Sequence, residues 1–114
     1  MSECIFCKMI NKTIPITPIY EDELVLAFHD INPVAPVHVL IIPKKHIISM
    51  SDMTDDDSQY LCALAKAARM IAKQLDIDQS GFRIVANAND DGGQTVHHLH
   101  WHVLGGRRMK WPPG

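Results

Sequence analysis

The chain has no excess of basic charge: 11 Lys and Arg stand against 13 Asp and Glu, a formal net charge of −2. Binders of nucleic acid or anionic membranes normally carry a basic stripe, and the short pairs Lys44-Lys45 and Arg107-Arg108 read as solvated surface instead. No apolar run approaches the ~20 residues of a membrane span. The N-terminus lacks a basic segment followed by an apolar stretch, so nothing addresses the chain out of the cytoplasm. Internal repeats and low-complexity segments are absent. With 114 residues and 46% hydrophobic composition the chain can bury one core but not two. A domain of this size hides little more than ~60% of its unfolded surface, so a partner subunit would help.

Cysteine is also scarce, with three in all. In a reduced compartment a C-x-x-C pair such as Cys4-Ile5-Phe6-Cys7 more often holds metal or does redox work than forms a structural disulfide. No thioredoxin-like βαβ pattern surrounds it. Cys62 falls on a helical stretch and reads as a small packing residue.

What the chain has in concentration is histidine. In His98-Leu99-His100-Trp101-His102-Val103-Leu104, imidazoles alternate with apolar side chains. On a β-strand, successive side chains point to opposite faces, so His98, His100 and His102 are expected on one face and Leu99, Trp101 and Val103 on the other. Imidazole serves near neutral pH as nucleophile, proton donor or metal ligand, and three without a task would bury polar atoms that each need a partner. Asn89-Asp90-Asp91-Gly92-Gly93-Gln94-Thr95 precedes them. This turn-rich loop lacks the spacing of a Walker or dinucleotide-binding motif, yet its glycines and exposed N–H groups could seat a phosphate beside the histidines, with Thr95 adding a hydroxyl.

Periodicity supplies the rest. A short helix is expected over residues 5–10, strands over 19–20, 24–29, 37–42, 82–88 and 98–104, and one long amphipathic helix whose buried stripe is Leu61, Leu64, Ala65, Ala68, Ile71, Ala72 and Leu75. Asp55-Asp56-Asp57 suits the N-terminus of that helix and reads as a cap, not a metal site. Neighbouring strands without intervening helices favour an antiparallel sheet with one main helix packed across it, an α+β fold in a single domain over 1–114.

The ordered motifs Asp30-Ile31-Asn32-Pro33, Ala35-Pro36-Val37-His38, Ile41-Ile42-Pro43-Lys44-Lys45-His46, Gly92-Gly93-Gln94-Thr95-Val96, the histidine trio, Leu104-Gly105-Gly106-Arg107 and Trp111-Pro112-Pro113-Gly114 resemble the histidine triad superfamily, specifically its Hint branch of nucleotide-binding phosphoramidases. The resemblance implies a five-stranded sheet continued across a two-fold dimer, with the tail over 105–114 reaching the partner. It implies hydrolysis of the P–N bond of purine nucleoside 5′-phosphoramidates through a nucleotidyl-histidine, releasing nucleoside monophosphate and amine, with no cofactor required for catalysis.

By that resemblance, His100 is the nucleophile, His102 contacts the phosphate, and His38 and His98 complete the catalytic set. Asp30 binds the ribose, flanked by His29 and Ile31. Phe6, Met9, Phe28 and Leu40 wall the base; Asn87, Gly93, Thr95 and Val96 serve the phosphate; Trp111 lies on the tail that reaches the nucleotide site of the partner. Superfamily members with the same N-terminal cysteine pair hold a structural zinc, which here implies Cys4, Cys7, His46 and His98 as ligands. His97 stands where an aromatic residue is common in the branch, Trp101 where an aliphatic one is, and Thr95 where many relatives carry serine. Two other classes fit the residues: a nucleotide-binding regulatory module acting through a protein partner, and a metallohydrolase whose trio ligates a catalytic zinc.

Overall fold

A computed structural model describes residues 3–114; Met1 and Ser2, which the single-domain reading includes, lie outside the described residues. Helix α1 spans Ile5–Ile10, followed by strands β1 (Tyr20–Glu21), β2 (Val25–His29) and β3 (Val37–Pro43). Helix α2 (Ser58–Gln74) leads to β4 (Phe82–Val85) and β5 (Trp101–Gly105). The five strands form one antiparallel sheet in the order β1-β2-β3-β5-β4, so the fold is α+β as expected.

β3 is central because its sequence, Val-His-Val-Leu-Ile-Ile-Pro, offers apolar side chains to both faces. Pro43 closes it, having no N–H to extend the ladder. α2 begins through a 3₁₀ turn, Asp55–Asp57, where Thr54 and Asp57 form a capping box and Lys45 pairs with the Asp57 carboxylate. The acidic run is therefore a cap.

The sheet separates two apolar clusters. On one face α2 lays Ala63, Leu64, Ala67, Ala68, Ile71 and Ala72 across Val25, Ala27, Val39, Ile41 and Val103. Alanines dominate this stripe, which lets the helix lie close to the strands. The expected stripe is rotated by part of a turn: Leu61 and Ala65 are exposed, as is Cys62, which does not pack in the core. On the other face a smaller cluster joins Phe6, Leu26, Phe28, Leu40 and Ile42, with α1 lying over it.

Two strand expectations are corrected. β4 stops at Val85, not at 88, because its partner β5 begins only at Trp101. His98 and His100 thus precede the strand and only His102 lies on it. The backbone there is diverted: the Leu99 N–H donates to the Ile47 carbonyl at 2.6 Å, which fastens the segment to the loop after β3 and not to a neighbouring strand.

Candidate active site

Residues directly opposite in an antiparallel pair share a face. His38 pairs with Leu104 and Leu40 with His102, so His38 and His102 rise from adjacent strands on the face away from α2, beside the Phe6 cluster. His100 arrives from the irregular segment, its ring centroid 5.0 Å from that of His102 and 5.3 Å from that of Phe6.

The partners of each ring fix its tautomer. The Val34 N–H donates to Nδ1 of His38 at 3.1 Å, so a neutral His38 carries its proton on Nε2. That Nε2–H donates to Nδ1 of His102 at 2.8 Å, with Oδ2 of Asp30 at 3.4 Å. His102 must then carry its own proton on Nε2, a buried atom with no hydrogen-bond partner among the described residues. Burial, and then the neighbouring histidines His100 and His38, push His102 down to about 4, which keeps it neutral at pH 7. Burial lowers His38 as well, against the opposing pull of Asp30. His100 is set the opposite way: its Nδ1–H donates to the His98 carbonyl at 2.8 Å, so the lone pair is on Nε2. A bare nitrogen on one ring and an unpaired N–H on the next suit a nucleophile beside an oxyanion donor.

The His98 ring goes elsewhere. It is fully buried, Nε2–H donates to the Pro43 carbonyl at 3.0 Å, and Nδ1 faces two thiols and His46. Nδ1 of His98 lies 3.3 Å from Sγ of Cys4, 3.6 Å from Sγ of Cys7 and 3.1 Å from Nδ1 of His46; Cys7 Sγ to His46 Nδ1 is 3.2 Å. A zinc with bonds of ~2.3 Å to sulfur and ~2.0 Å to nitrogen spaces tetrahedral ligands by ~3.3–3.8 Å, so this donor set fits one. The Pro43 carbonyl orients the His98 ring from behind, as such ligands require. Burial, followed by the Cys4 thiol, raises the Cys7 thiol. A second grouping, Asp30, His38 and His102, has ligand atoms as closely spaced. There Nε2 of His38 and Nδ1 of His102 are paired to each other at 2.8 Å.

The remaining expected residues fall into three groups. Phe6, Phe28 and Leu40 are buried in the cluster beside the triad, with Met9 and Val96 packed against it. Asp30 stands just past β2, its Oδ1 accepting the Asn32 N–H at 2.7 Å. Asn87 is half-buried beyond β4; Gly93, at φ +75°, and Thr95 are exposed on the following loop. Gln94, unremarked as a site residue in the sequence, anchors that loop: it is buried, donates to the carbonyls of Ile48 and Val96, and accepts the Asn89 N–H. Thr95, Val96 and His97 line a cavity of about 420 Å³ with Cys4 and His46. The structure does not bring His29, Ile31 or Trp111 to the imidazoles. His29 registers with Val39 on the α2 face, Ile31 is 91% exposed, and Trp111 is 81% exposed with its ring over the Arg83 guanidinium at 5.9 Å. Trp101 packs on the α2 side with its indole nitrogen buried and unpaired among the described residues.

The family model for the HIT domain matches residues 11–109. The chain belongs to the HIT domain family. Among curated relatives of this HIT chain, an uncharacterized HIT-like protein of Synechocystis is 49% identical over 98% of the chain and 97% of the relative. A 14 kDa zinc-binding protein of Zea mays is 47% identical over 99% of the chain and 89% of the relative. The crystal structure of a HIT family hydrolase from Legionella pneumophila superposes with a TM-score of 0.95 at 49% identity, covering 98% of this chain and 100% of that one. A histidine triad protein from Clostridium difficile gives 0.92 at 46% identity, covering 96% of each.

Proposed function

We propose that this HIT domain is a purine nucleoside phosphoramidase of the Hint kind. One observation carries the reading: the bare Nε2 of His100 stands beside the Nε2–H of His102, which has no hydrogen-bond partner among the described residues, each tautomer fixed by a named partner. The Nε2 lone pair of His100 forms a bond to the α-phosphorus while the P–N electron pair leaves with the amine, which takes a proton from solvent. Water then bonds to phosphorus, the histidine–phosphorus pair returns to Nε2, and the surplus proton goes to solvent. The His102 Nε2–H, held ready before charge builds on the phosphate oxygens, stabilises both displacements. Asp30 accepts from the ribose hydroxyls, and Phe6, Met9, Phe28 and Leu40 hold the base.

Asn87, Gly93, Thr95 and Val96 attend the phosphate, with Trp111 supplied across a homodimer and location in the cytoplasm. Cys4, Cys7, His46 and His98 would hold a zinc ion, which when bound cross-links α1 to the loops around Pro43 and His98 without entering the reaction. The Zea mays relative's name, a zinc-binding protein, and the Legionella relative's, a HIT family hydrolase, support the two halves of this reading. The test is incubation with adenosine 5′-phosphoramidate, quenching and mass spectrometry: an adenylate on His100 is expected. Nucleotide binding without any turnover would instead favour a regulatory module acting through a protein partner.

A further inference from the structure

Arg107 is the second residue past β5. Its guanidinium donates to the carbonyls of Val34 at 3.2 Å and Arg108 at 3.1 Å. Gly106 before it, at φ +88°, lies so close to Pro36 that an added Cβ would stand 2.8 Å from the Pro36 Cβ. Two consecutive residues therefore grip the irregular loop between Asp30 and Val37. Ala35 is its buried side chain, whereas Ile31 and Val34 are 91% and 63% exposed, so apolar packing does little to hold Val34 itself. Yet the Val34 N–H is the group that fixes the proton of His38.

We propose that Arg107 is a positioning residue: by holding the Val34 carbonyl, it keeps the Val34 N–H on Nδ1 of His38, and so keeps the Nε2–H of His102 turned toward the substrate phosphate. The Val34 N–H and C=O belong to different peptide planes hinged at the Val34 Cα, so a released carbonyl leaves that hinge free to turn the N–H away from His38. Without that donor, His38 can protonate on Nδ1 and present a bare Nε2. His102 then takes its proton on Nδ1, and its own bare Nε2 faces the phosphate and repels it. Asp30, 3.4 Å from His38 Nε2, favours the original tautomer and tempers the loss.

The kinetic part rests on the phosphoramidase reading; the tautomer part does not. In ¹⁵N-labelled full-length protein at neutral pH, NMR of the ring nitrogens should show His38 and His102 both protonated on Nε2, and Arg107→Ala should convert a measurable fraction of each to the Nδ1–H form. The same variant should lower kcat about tenfold with KM within about twofold, since the lost contact forms in the transition state. Arg107→Lys, still able to donate to Val34, should restore part of both readouts and also serves if the alanine variant folds poorly. Wild-type ring tautomers in a folded Arg107→Ala or Arg107→Gln variant overturn the proposal even if turnover falls. A wild-type protein without turnover but with the expected tautomer change overturns the phosphoramidase reading alone.

Discussion

The carbonyl of His98 lies 2.8 Å from Nδ1 of His100, two residues further along the chain. His98 is fully buried and held on its ring by the Pro43 carbonyl and the Cys4, Cys7 and His46 cluster. The orientation of the candidate nucleophile is thus inherited from a buried neighbour whose ring is engaged at both nitrogens. Phe6, between the two cysteines, reinforces the link by packing edge-on against both rings, at 5.7 Å and 5.3 Å.

Replacing the nucleophile tests the covalent step. His100→Asn retains a hydrogen-bonding side chain but cannot bond to phosphorus, so turnover should fall at least about 10³-fold while the affinity for adenosine monophosphate changes by less than about threefold. Calorimetry and steady-state kinetics read the two effects. Residual turnover above about 10% would rule out the nucleotidyl-histidine.

Purified protein should contain about one zinc per chain, as a closed four-ligand site demands. Cys7→Ser should lose most of that metal and lower the melting temperature by on the order of 5–10 °C, because α1 is then tied down by packing alone. Metal analysis that finds none in protein prepared without chelator removes the site.

Acid should destabilise the fold through the buried imidazoles. His102 is depressed from 6.5 to about 4 in the folded chain, and His38 is lowered in the same direction. Between those values the unfolded chain binds more protons at His102, so the contribution of His102 to stability is complete above pH 6.5 and is lost as pH falls through 4, and His38 acts in the same direction. The melting temperature should drop by several degrees between about pH 7 and 5, and His102→Asn should flatten that slope. An unchanged slope in the variant would show that His102 is not the group titrating.

The tail should act on catalysis more than on assembly. Its Trp111 is 81% exposed, a large apolar surface, and β4 is an edge strand of the sheet. Full-length protein should be a dimer at micromolar concentration by analytical ultracentrifugation. Deleting residues 111–114 should leave that dimer largely intact while changing turnover by about tenfold for at least one of several amine leaving groups. A full-length monomer, or kinetics untouched across all leaving groups, would count against the tail as a site component.

The α+β class, the single long helix and the central strand were legible in the sequence because periodicity reports which face of an element is apolar. The histidines announced themselves by repetition, and the motif order carried the family. The register of α2 was not legible: alanine and leucine at 61, 63, 65 and 67 fit either of two adjacent stripes, and only contact with Val39 and Ile41 selects 63 and 67 over 61 and 65.

What the sequence alone determined is the inventory: which imidazoles, thiols and carboxylates exist, and that three histidines are spaced to cooperate. Their division of labour comes from the fold. As alternation predicts, Leu99, Trp101 and Val103 pack toward α2 while His98 and His100 meet Phe6 on the other side, but the Leu99 N–H goes to Ile47, so the first two imidazoles stand before the strand begins. His98 is thereby turned to the cysteines, 91 and 94 residues away in sequence, while its carbonyl sets His100 and the distant Val34 sets His38 and His102. Tautomers depend on which atom meets which partner across the fold, and a linear pattern holds no record of those meetings.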